Sequence, residues 1–505
     1  MNNISGFIPN ISIPGIGTAF IPGIGTKNLG IPAEIGLEKI SNEEKLQIII
    51  RRLAYRHNPA INANPSISTV FGQPDFLPFP FLALGVRKGA AVCRLIREFS
   101  SDESAKSFIN TIEQAEANRG QPFSLSNLAE ICCVDIDIAQ KIFEVTNTDQ
   151  GRILLKPEYF SKKLKRIPVA TAFLVGRNML LTNYHVFPRN ALEQEVSESI
   201  NSISKEIIEN EFIAQFNYEQ DLLGNETFPV EYRCQNIIAE DKSLDFVLVK
   251  LRSNPEGDQY KNVGQAGDQF GWLSLAGDDA TIAPPLPVIN GFESQLTQEN
   301  QLSDLELESL LGELIKKIDP VFLDKLKDFN DSSSAALLAS LKKNALFGDP
   351  VNIIQHPKGR RKEIVLSNNR VTGIFKNFIL YEADADFSSS GSPVMNQQWQ
   401  LVSMHCGVLF KESQNALDQK VSDMEIGVRT CQIVDRLVSR LIEQVPQYNS
   451  SDKRAEIREL WLFVKGFVQL QEVQSKMIPI LQGFEDIDIN YHAPTASKLE
   501  SLSFY

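Results

Sequence analysis

Eight short apolar runs, each bounded by turn-forming residues, follow one another between residues 168 and 408. In chain order they read PVATAFLVG, NMLLTNYHV, FPVEYRC, LDFVLVKL, VNIIQHP, EIVLSNN, FILYEAD and QLVSMHCGV. β-Branched and aromatic residues in runs of this length favour strands, and many short strands joined by polar turns are typical of an antiparallel barrel or sandwich. The middle of the chain is therefore predicted to be mainly β.

Helical patterns flank and interrupt this β region. Residues 36–165 are predicted to form a helical N-terminal regulatory or adaptor domain, and residues 166–440 form the β domain with a helical insertion at 293–345. Residues 441–505 predict a helical C-terminal extension. Residues 1–35 are an Ile/Gly/Pro-rich arm in which IPGIGT occurs twice. Proline and glycine disfavour regular structure there, so the arm is either a flexible or extended segment or a sticky segment for self-assembly or partner docking.

Composition argues against several classes of function. The net charge of -13 disfavours a nucleic-acid partner, because binding phosphates by counterion release needs clustered Lys and Arg. No apolar stretch reaches the roughly 18 to 20 residues of a membrane-spanning helix, and the N-terminus lacks a secretory signal pattern. A cytoplasmic protein without stable membrane insertion is therefore expected. The six cysteines show no CxxC spacing, so no metal site and no disulfide framework is predicted, and no cofactor is expected.

Three polar residues beside the apolar runs carry candidate chemistry. His185 lies in LLTNYHVF, Asp245 precedes the strand-like run FVLVKL, and Ser390 lies in the tight turn of DFSSSGSPVM. Acyl transfer by a serine needs a base within hydrogen-bond reach of the hydroxyl, and a carboxylate that fixes the tautomer of that base. A lone histidine or an SGSP turn is common, but the joint pattern predicts a catalytic triad.

Taken together, these motifs resemble the chymotrypsin-like and trypsin-like serine peptidases, in the bacterial branch near the glutamyl endopeptidases and the trypsin-like peptidases of defence operons. The resemblance covers about residues 166–440 and includes ATAFLVGRNMLLTNYHV, FIAQFNYEQDLLG, GWLSL, SSSGSPV and GVRTCQIV in the order of the family. It implies two six-stranded antiparallel β-barrels with helical appendages. It also implies that His185 and Asp245 come from the first barrel and Ser390 from the second.

The resemblance further implies an oxyanion hole formed by the main-chain N–H groups of Ser388 and Ser390. The family usually has glycine where this chain has Ser388, and glycine reaches unusual backbone angles most cheaply. We therefore expect that an ordering event accompanies activity. Ser389 stands where digestive zymogens carry an aspartate that pairs with a newly cut N-terminus, so control by such a cut is not expected.

Two residues compete for the specificity pocket. Asp384 matches the pocket-base position that receives Lys or Arg side chains in trypsin-like members, and His405 matches the pocket histidine of glutamyl endopeptidases. The two residues either form a buried pair that neutralises the pocket, or Asp384 dominates with support from His405. Alternatively, each is a structural polar residue outside the pocket. The balance favours a basic residue before the scissile bond.

The predicted function is a cytoplasmic serine endopeptidase that acts through an acyl-enzyme. The resemblance to the peptidases of defence operons implies a bacterial defence or signalling effector that cleaves a specific protein, such as a pore-forming one. An unregulated protease would endanger its own cell, so we expect the enzyme to be regulated. Its activating protein partner would bind through the helical N-terminal domain. The alternative is a catalytically weak or inactive protease-fold scaffold or binding protein.

Overall fold

The computed structural model describes residues 79–99, 165–187, 205–221, 223–257, 264–275, 350–367, 369–386, 388–409, 424–444 and 454–467, with short pieces between 105 and 155. The predicted arm at 1–35 and the predicted insertion at 293–345 lie outside the described residues.

The described helices are α1 (Phe81–Gly89), α2 (Leu125–Ile131), α3 (Lys205–Glu211), α4 (Ala266–Phe270), α5 (Thr430–Gln444) and α6 (Arg454–Phe467). The described strands are β1 (Val92–Glu98), β2 (Phe143–Val145), β3 (Ile153–Leu155), β4 (Arg166–Leu174), β5 (Met179–Thr182), β6 (Phe212–Phe216), β7 (Val230–Asp241), β8 (Phe246–Leu251), β9 (Asn352–Gln355), β10 (Glu363–Val365), β11 (Val371–Ile374), β12 (Phe378–Tyr381), β13 (Pro393–Met395), β14 (Leu401–Leu409) and β15 (Met424–Arg429).

The first sheet is a closed antiparallel barrel of six strands in the order β1-β4-β5-β8-β7-β6. Strand β5 pairs with β8, with Leu181 opposite Leu248, and β6 pairs with β7, with Ala214 opposite Tyr232. These four side chains are fully buried. The apolar runs are stable as strands because closing the barrel removes their side chains from water and leaves no strand with an unpaired edge.

Strand β1 corrects the predicted domain boundary at residue 165. It lies in the part predicted to be a separate helical domain, yet it pairs with β4 on one side and β6 on the other. In AAVCRLIRE the apolar residues are too closely spaced for periodicity alone to separate a strand from a buried helix. Pairing with both neighbours buries Cys93 and Leu95 completely, and this tertiary contact decides the outcome.

The second sheet contains seven antiparallel strands in the order β10-β9-β13-β14-β15-β12-β11, one strand more than predicted. Its core includes Val351, Ile353, Ile379, Val394 and Val402, all of which are buried. The predicted fold class is confirmed: two antiparallel, barrel-like sheets carry helical appendages.

The C-terminal helices pack against this β core. An apolar stripe along α6, the last of the described helices, is buried, and it consists of Ile457, Leu460, Trp461 and Val464. In the described part of the chain, no helix is both long and apolar enough to cross a membrane.

Candidate active site

His185 lies in a short 3₁₀ turn, Tyr184–Val186, which follows directly after β5. Asn183 precedes the turn in an extended conformation, so the chain bends sharply at the point where the strand ends. The His185 side chain is buried. Its position is therefore set by the register of a barrel strand and not by a long loop.

Asp245 ends the tight turn between β7 and β8, with φ of 51°. Aspartate tolerates this left-handed region better than most residues. Its main-chain oxygen accepts hydrogen bonds from the Tyr184 N–H at 3.1 Å and from Nδ2 of Asn183 at 3.0 Å. The turn that carries the carboxylate is thus bonded to the turn that carries His185.

The carboxylate of Asp245 holds His185 at two points. Its Oδ1 accepts the main-chain N–H of His185 at 2.9 Å, and its Oδ2 lies 2.7 Å from Nδ1 of the ring. Both side chains are fully buried. A carboxylate only accepts hydrogen bonds, so Nδ1 of the ring carries the proton and Nε2 is the nitrogen that can accept one. The structure brings these two predicted residues together.

A salt bridge from helix α5 supports the turn of Asp245. Nε of Arg436 lies 2.5 Å from Oδ2 of Asp241, the last residue of β7. The other oxygen of Asp241 accepts from Ser243 at 2.5 Å and from the Leu244 N–H at 2.9 Å. Burial alone would raise the pKa of Asp241, but these hydrogen bonds outweigh it and lower the pKa. Helix α5 therefore braces the turn from outside the barrel.

Ser390 lies in a buried loop, residues 388–392, just before β13. Ser388 has φ of 64° and Gly391 has φ of 84°, so both adopt left-handed backbone conformations. A β-carbon at Gly391 would collide with the main-chain oxygen of Thr171 and with the hydroxyl of Thr182. Glycine is therefore required at 391, whereas Ser388 occupies a conformation that disfavours a side chain.

Internal hydrogen bonds set the directions of the peptide groups around Ser390. The carbonyl of Ser389 accepts the N–H of Ser392 at 3.0 Å and its hydroxyl at 2.5 Å. Because a trans peptide points its C=O and N–H in opposite directions, the N–H of Ser390 points away from Ser392. The Ser390 N–H is one of the two groups predicted to form the oxyanion hole, and this arrangement keeps it out of the hydrogen bonds to Ser392.

The serine loop contacts both sheets. The Thr171 N–H of β4 donates to the Ser390 carbonyl at 2.9 Å, and the Gly391 N–H donates to the His405 carbonyl of β14 at 2.9 Å. His405 also lies within electrostatic range of His185. The structure therefore places the loop at the junction between the two sheets, on the side where His185 lies.

The two residues that compete for the specificity pocket have different environments. Asp384 is exposed, and its main-chain oxygen accepts a hydrogen bond from Gln355 at 2.9 Å. His405 is buried, with Nδ1 2.8 Å from the Tyr381 hydroxyl and Nε2 3.6 Å from Oε2 of Glu425. Burial, and secondarily nearby His185, lower the pKa of His405 to about 3. The exposure of Asp384 does not fit a buried pair with His405.

Several residues of the site were missed by sequence reasoning. Tyr381 of β12 and Glu425 of β15 contact His405, and Thr171 contacts the serine loop from the first barrel. Cys406 is buried beside Asp245; burial, and then the charge of Asp245, raise the pKa of its thiol, so the thiol stays protonated. Only Thr171 gave a sequence signal, as a polar residue inside the apolar run PVATAFLVG.

Comparison with known families gives a match to one part of this site. Residues 321–404 match a family model described as a trypsin-like peptidase domain. The match and the fold fit a chymotrypsin-like or trypsin-like peptidase. The matched segment contains Ser390 and its loop, whereas His185 and Asp245 lie outside it. A comparison with curated proteins gives no match.

Proposed function

We propose that this protein is a serine endopeptidase in which Ser390 is the nucleophile, His185 the general base and Asp245 the residue that orients the base. The observation that carries the proposal is the buried pair of His185 and Asp245, whose ring nitrogen and carboxylate oxygen lie 2.7 Å apart. The serine loop at the junction of the two sheets supplies the third member. The trypsin-like peptidase match supports the same chemistry.

The reaction follows from the proton positions. Oγ of Ser390 attacks the carbonyl carbon of the substrate while Nε2 of His185 takes the hydroxyl proton. The tetrahedral intermediate places its negative oxygen against the N–H groups of Ser388 and Ser390. His185 then gives its proton to the leaving amine, which breaks the C–N bond and leaves an acyl-enzyme. A water molecule, deprotonated by His185, hydrolyses the ester and restores Ser390.

We propose a basic residue before the scissile bond. Asp384 carries an accessible carboxylate that suits a Lys or Arg side chain. An acidic side chain would need a donor or cation at His405. However, the pKa of His405, lowered to about 3, leaves the ring neutral at neutral pH, and Tyr381 and Glu425 already contact its two nitrogens. The environment of His405 therefore disfavours the acidic alternative.

The proposed cellular role is more specific than the proposed reaction, and it rests on the family resemblance. It is a cytoplasmic, regulated effector of bacterial defence or signalling that cleaves a protein substrate, such as a pore-forming one. An activating protein partner would bind through the N-terminal region. The competing proposal is a protease-fold scaffold without turnover, which is favoured by one observation: Ser388 has a side chain at a left-handed position of the loop.

Labelling with a fluorophosphonate tests the catalytic proposal against the scaffold. We expect the wild-type protein to be labelled covalently, and Ser390→Ala and His185→Ala to lose the label while keeping the same circular dichroism spectrum. Ser367→Ala, which removes an exposed serine after β10, is the matched control and should label as the wild type does. Labelling that persists in Ser390→Ala, or a folded wild type that takes no label, would overturn the proposal.

A further inference from the structure

We infer that Thr171 is a positioning residue that holds the oxyanion-hole loop of the second sheet in its left-handed conformation. This inference rests on the proposed function, since it assigns a role in the same site. Thr171 is fully buried in β4 of the first barrel, whereas the loop at 388–392 belongs to the second sheet. The hydroxyl of one residue therefore acts across the boundary between the sheets.

Thr171 makes two hydrogen bonds to the loop. Its hydroxyl donates to the Ser388 carbonyl at 2.7 Å, and its main-chain N–H donates to the Ser390 carbonyl at 2.9 Å. The hydroxyl also accepts the N–H of His356 at 3.0 Å. Because this N–H occupies a lone pair of the hydroxyl, the hydroxyl proton is directed to Ser388. Thr171 alone thus fixes both the Ser388 carbonyl and the Ser390 carbonyl, which lie before and after the peptide bond that joins Ser389 to Ser390.

The loop needs this support because of Ser388. A residue with a β-carbon is disfavoured at φ of 64°, so strain in the loop is relieved and its free energy falls if Ser388 leaves the left-handed region. Such a change would rotate the peptide groups around Ser388 and redirect an oxyanion-hole donor. The hydrogen bond from Thr171 to the Ser388 carbonyl opposes that rotation, because it anchors the rigid peptide plane that joins Ser388 to Ser389, immediately after the strained residue. The hydroxyl of Thr171 therefore offsets the penalty that the side chain of Ser388 introduces.

Thr171 also connects the loop to the strand that leads to the catalytic histidine. Its main-chain oxygen accepts a hydrogen bond from the Thr182 hydroxyl at 2.9 Å, and Thr182 ends β5 just before the turn of His185. Loss of the Thr171 hydroxyl should leave this bond intact, because it uses main-chain oxygen. A side-chain substitution at Thr171 therefore changes the oxyanion loop while keeping the connection to His185.

The test is Thr171→Val, which keeps the shape of the side chain and removes its hydroxyl. We expect kcat to fall about 10- to 100-fold with a smaller change in KM, because the oxyanion hole acts mainly in the transition state. Thr171→Ser, which restores a hydroxyl, should recover most of the loss. Adding Ser388→Gly to Thr171→Val should also recover activity, since glycine needs no support at this φ.

Tyr232→Phe is the matched control. The Tyr232 hydroxyl likewise donates to a carbonyl, that of Gly264 at 2.9 Å, and accepts from Gln269 at 2.7 Å, but it lies in the first barrel away from the serine loop. A role limited to stability predicts that Tyr232→Phe and Thr171→Val both lower the melting temperature and leave kcat of the folded enzyme unchanged. Equal kcat values for Thr171→Val and wild type would therefore overturn the inference.

Hydrogen–deuterium exchange separates this inference from the catalytic proposal. In the Ser390→Ala background, Thr171→Val should speed exchange of the amides of Ser389, Gly391 and Ser392 by about 10-fold or more, because the loop opens more often. Tyr232→Phe should leave these amides unchanged. Faster exchange, combined with a protein that keeps Ser390 and still takes no fluorophosphonate, would support the positioning role and refute the peptidase. Unchanged exchange in an active enzyme would refute only the positioning role.

Discussion

The substitution Asp245→Asn changes the pattern of donors around His185 while it preserves the shape of the side chain. In the wild type both carboxylate oxygens accept, one from the main-chain N–H of His185 at 2.9 Å and one from the ring at 2.7 Å. An asparagine offers only one acceptor and one donor. Its oxygen should turn to the main-chain N–H, because the opposite orientation would set two donors against each other.

The amide nitrogen of the introduced side chain would then face Nδ1 of the ring. Nδ1 must accept in that arrangement, so the ring proton moves to Nε2, and Nε2 no longer accepts the proton of Ser390. We expect kcat/KM to fall about 10⁴-fold, which corresponds to about 5.5 kcal/mol in the activation free energy. The melting temperature should change little by comparison, since the hydrogen bonds are rearranged and not lost.

The assay is hydrolysis of a short peptide with active-site concentrations fixed by titration. Asp245→Asn should be compared with His185→Ala and with the double variant. If Asp245 acts only through His185, the double variant is no slower than His185→Ala alone. A loss of less than about 10-fold for Asp245→Asn, with the fold intact, would refute the assignment of Asp245 as the residue that orients the base.

Three further predictions concern stability, support of the turn and specificity. Burial lowers the pKa of His405 to about 3 in the folded protein, against 6.5 normally, so unfolding takes up a proton between these two pH values. In that range the free energy of unfolding falls by about 1.4 kcal/mol for each unit by which the pH is lowered. Urea titrations between pH 7 and 5 should therefore show a shallower decline for His405→Gln than for the wild type. Arg436→Ala leaves Asp241 without its ion pair and should lower kcat by up to about 100-fold, because the turn of Asp245 is displaced. The control is Glu443→Gln, which removes the other partner of Arg436 and should leave kcat unchanged. Equal effects of the two substitutions would contradict the bracing role. Asp384→Asn should reduce cleavage after Lys and Arg in a peptide library, and an unchanged profile would exclude Asp384 from the pocket.

The positions of the three candidate catalytic residues were predictable because each lies where an apolar run meets a turn. The end of β5 fixes His185, the start of β8 fixes Asp245, and the turn before β13 fixes Ser390. Such local patterns are visible in a single sequence. The left-handed conformation of Ser388 also agrees with the expected penalty at that position, although its role as an oxyanion donor remains a prediction.

Contacts between distant segments were not predictable in the same way. Strand β1 joins the barrel because β4 and β6 pair with it on both sides, and its own sequence is compatible with a helix. The environment of His405 likewise depends on Tyr381 and Glu425, which lie on other strands. Periodicity reports which side of a strand is buried, but it does not report which strand lies next to it. The exposure of Asp384 and the burial of His405 therefore became known only from the structure.

Alignment of the site depends on how the two sheets dock, because each sheet supplies part of it. Thr171 is not alone in crossing the boundary: for example, Arg94 of β1 donates to the Gly359 carbonyl at 2.6 Å, and the Lys362 N–H donates to the Tyr218 carbonyl at 3.0 Å. A displacement of about 1 Å between reacting groups can cost about 10²-fold in rate. A partner that shifts one sheet against the other would therefore control turnover without touching the cleft. This mode of control requires that the partner bind the protein with one affinity when the sheets are aligned and with another when they are displaced. A ligand shifts a conformational equilibrium only through such a difference in affinity.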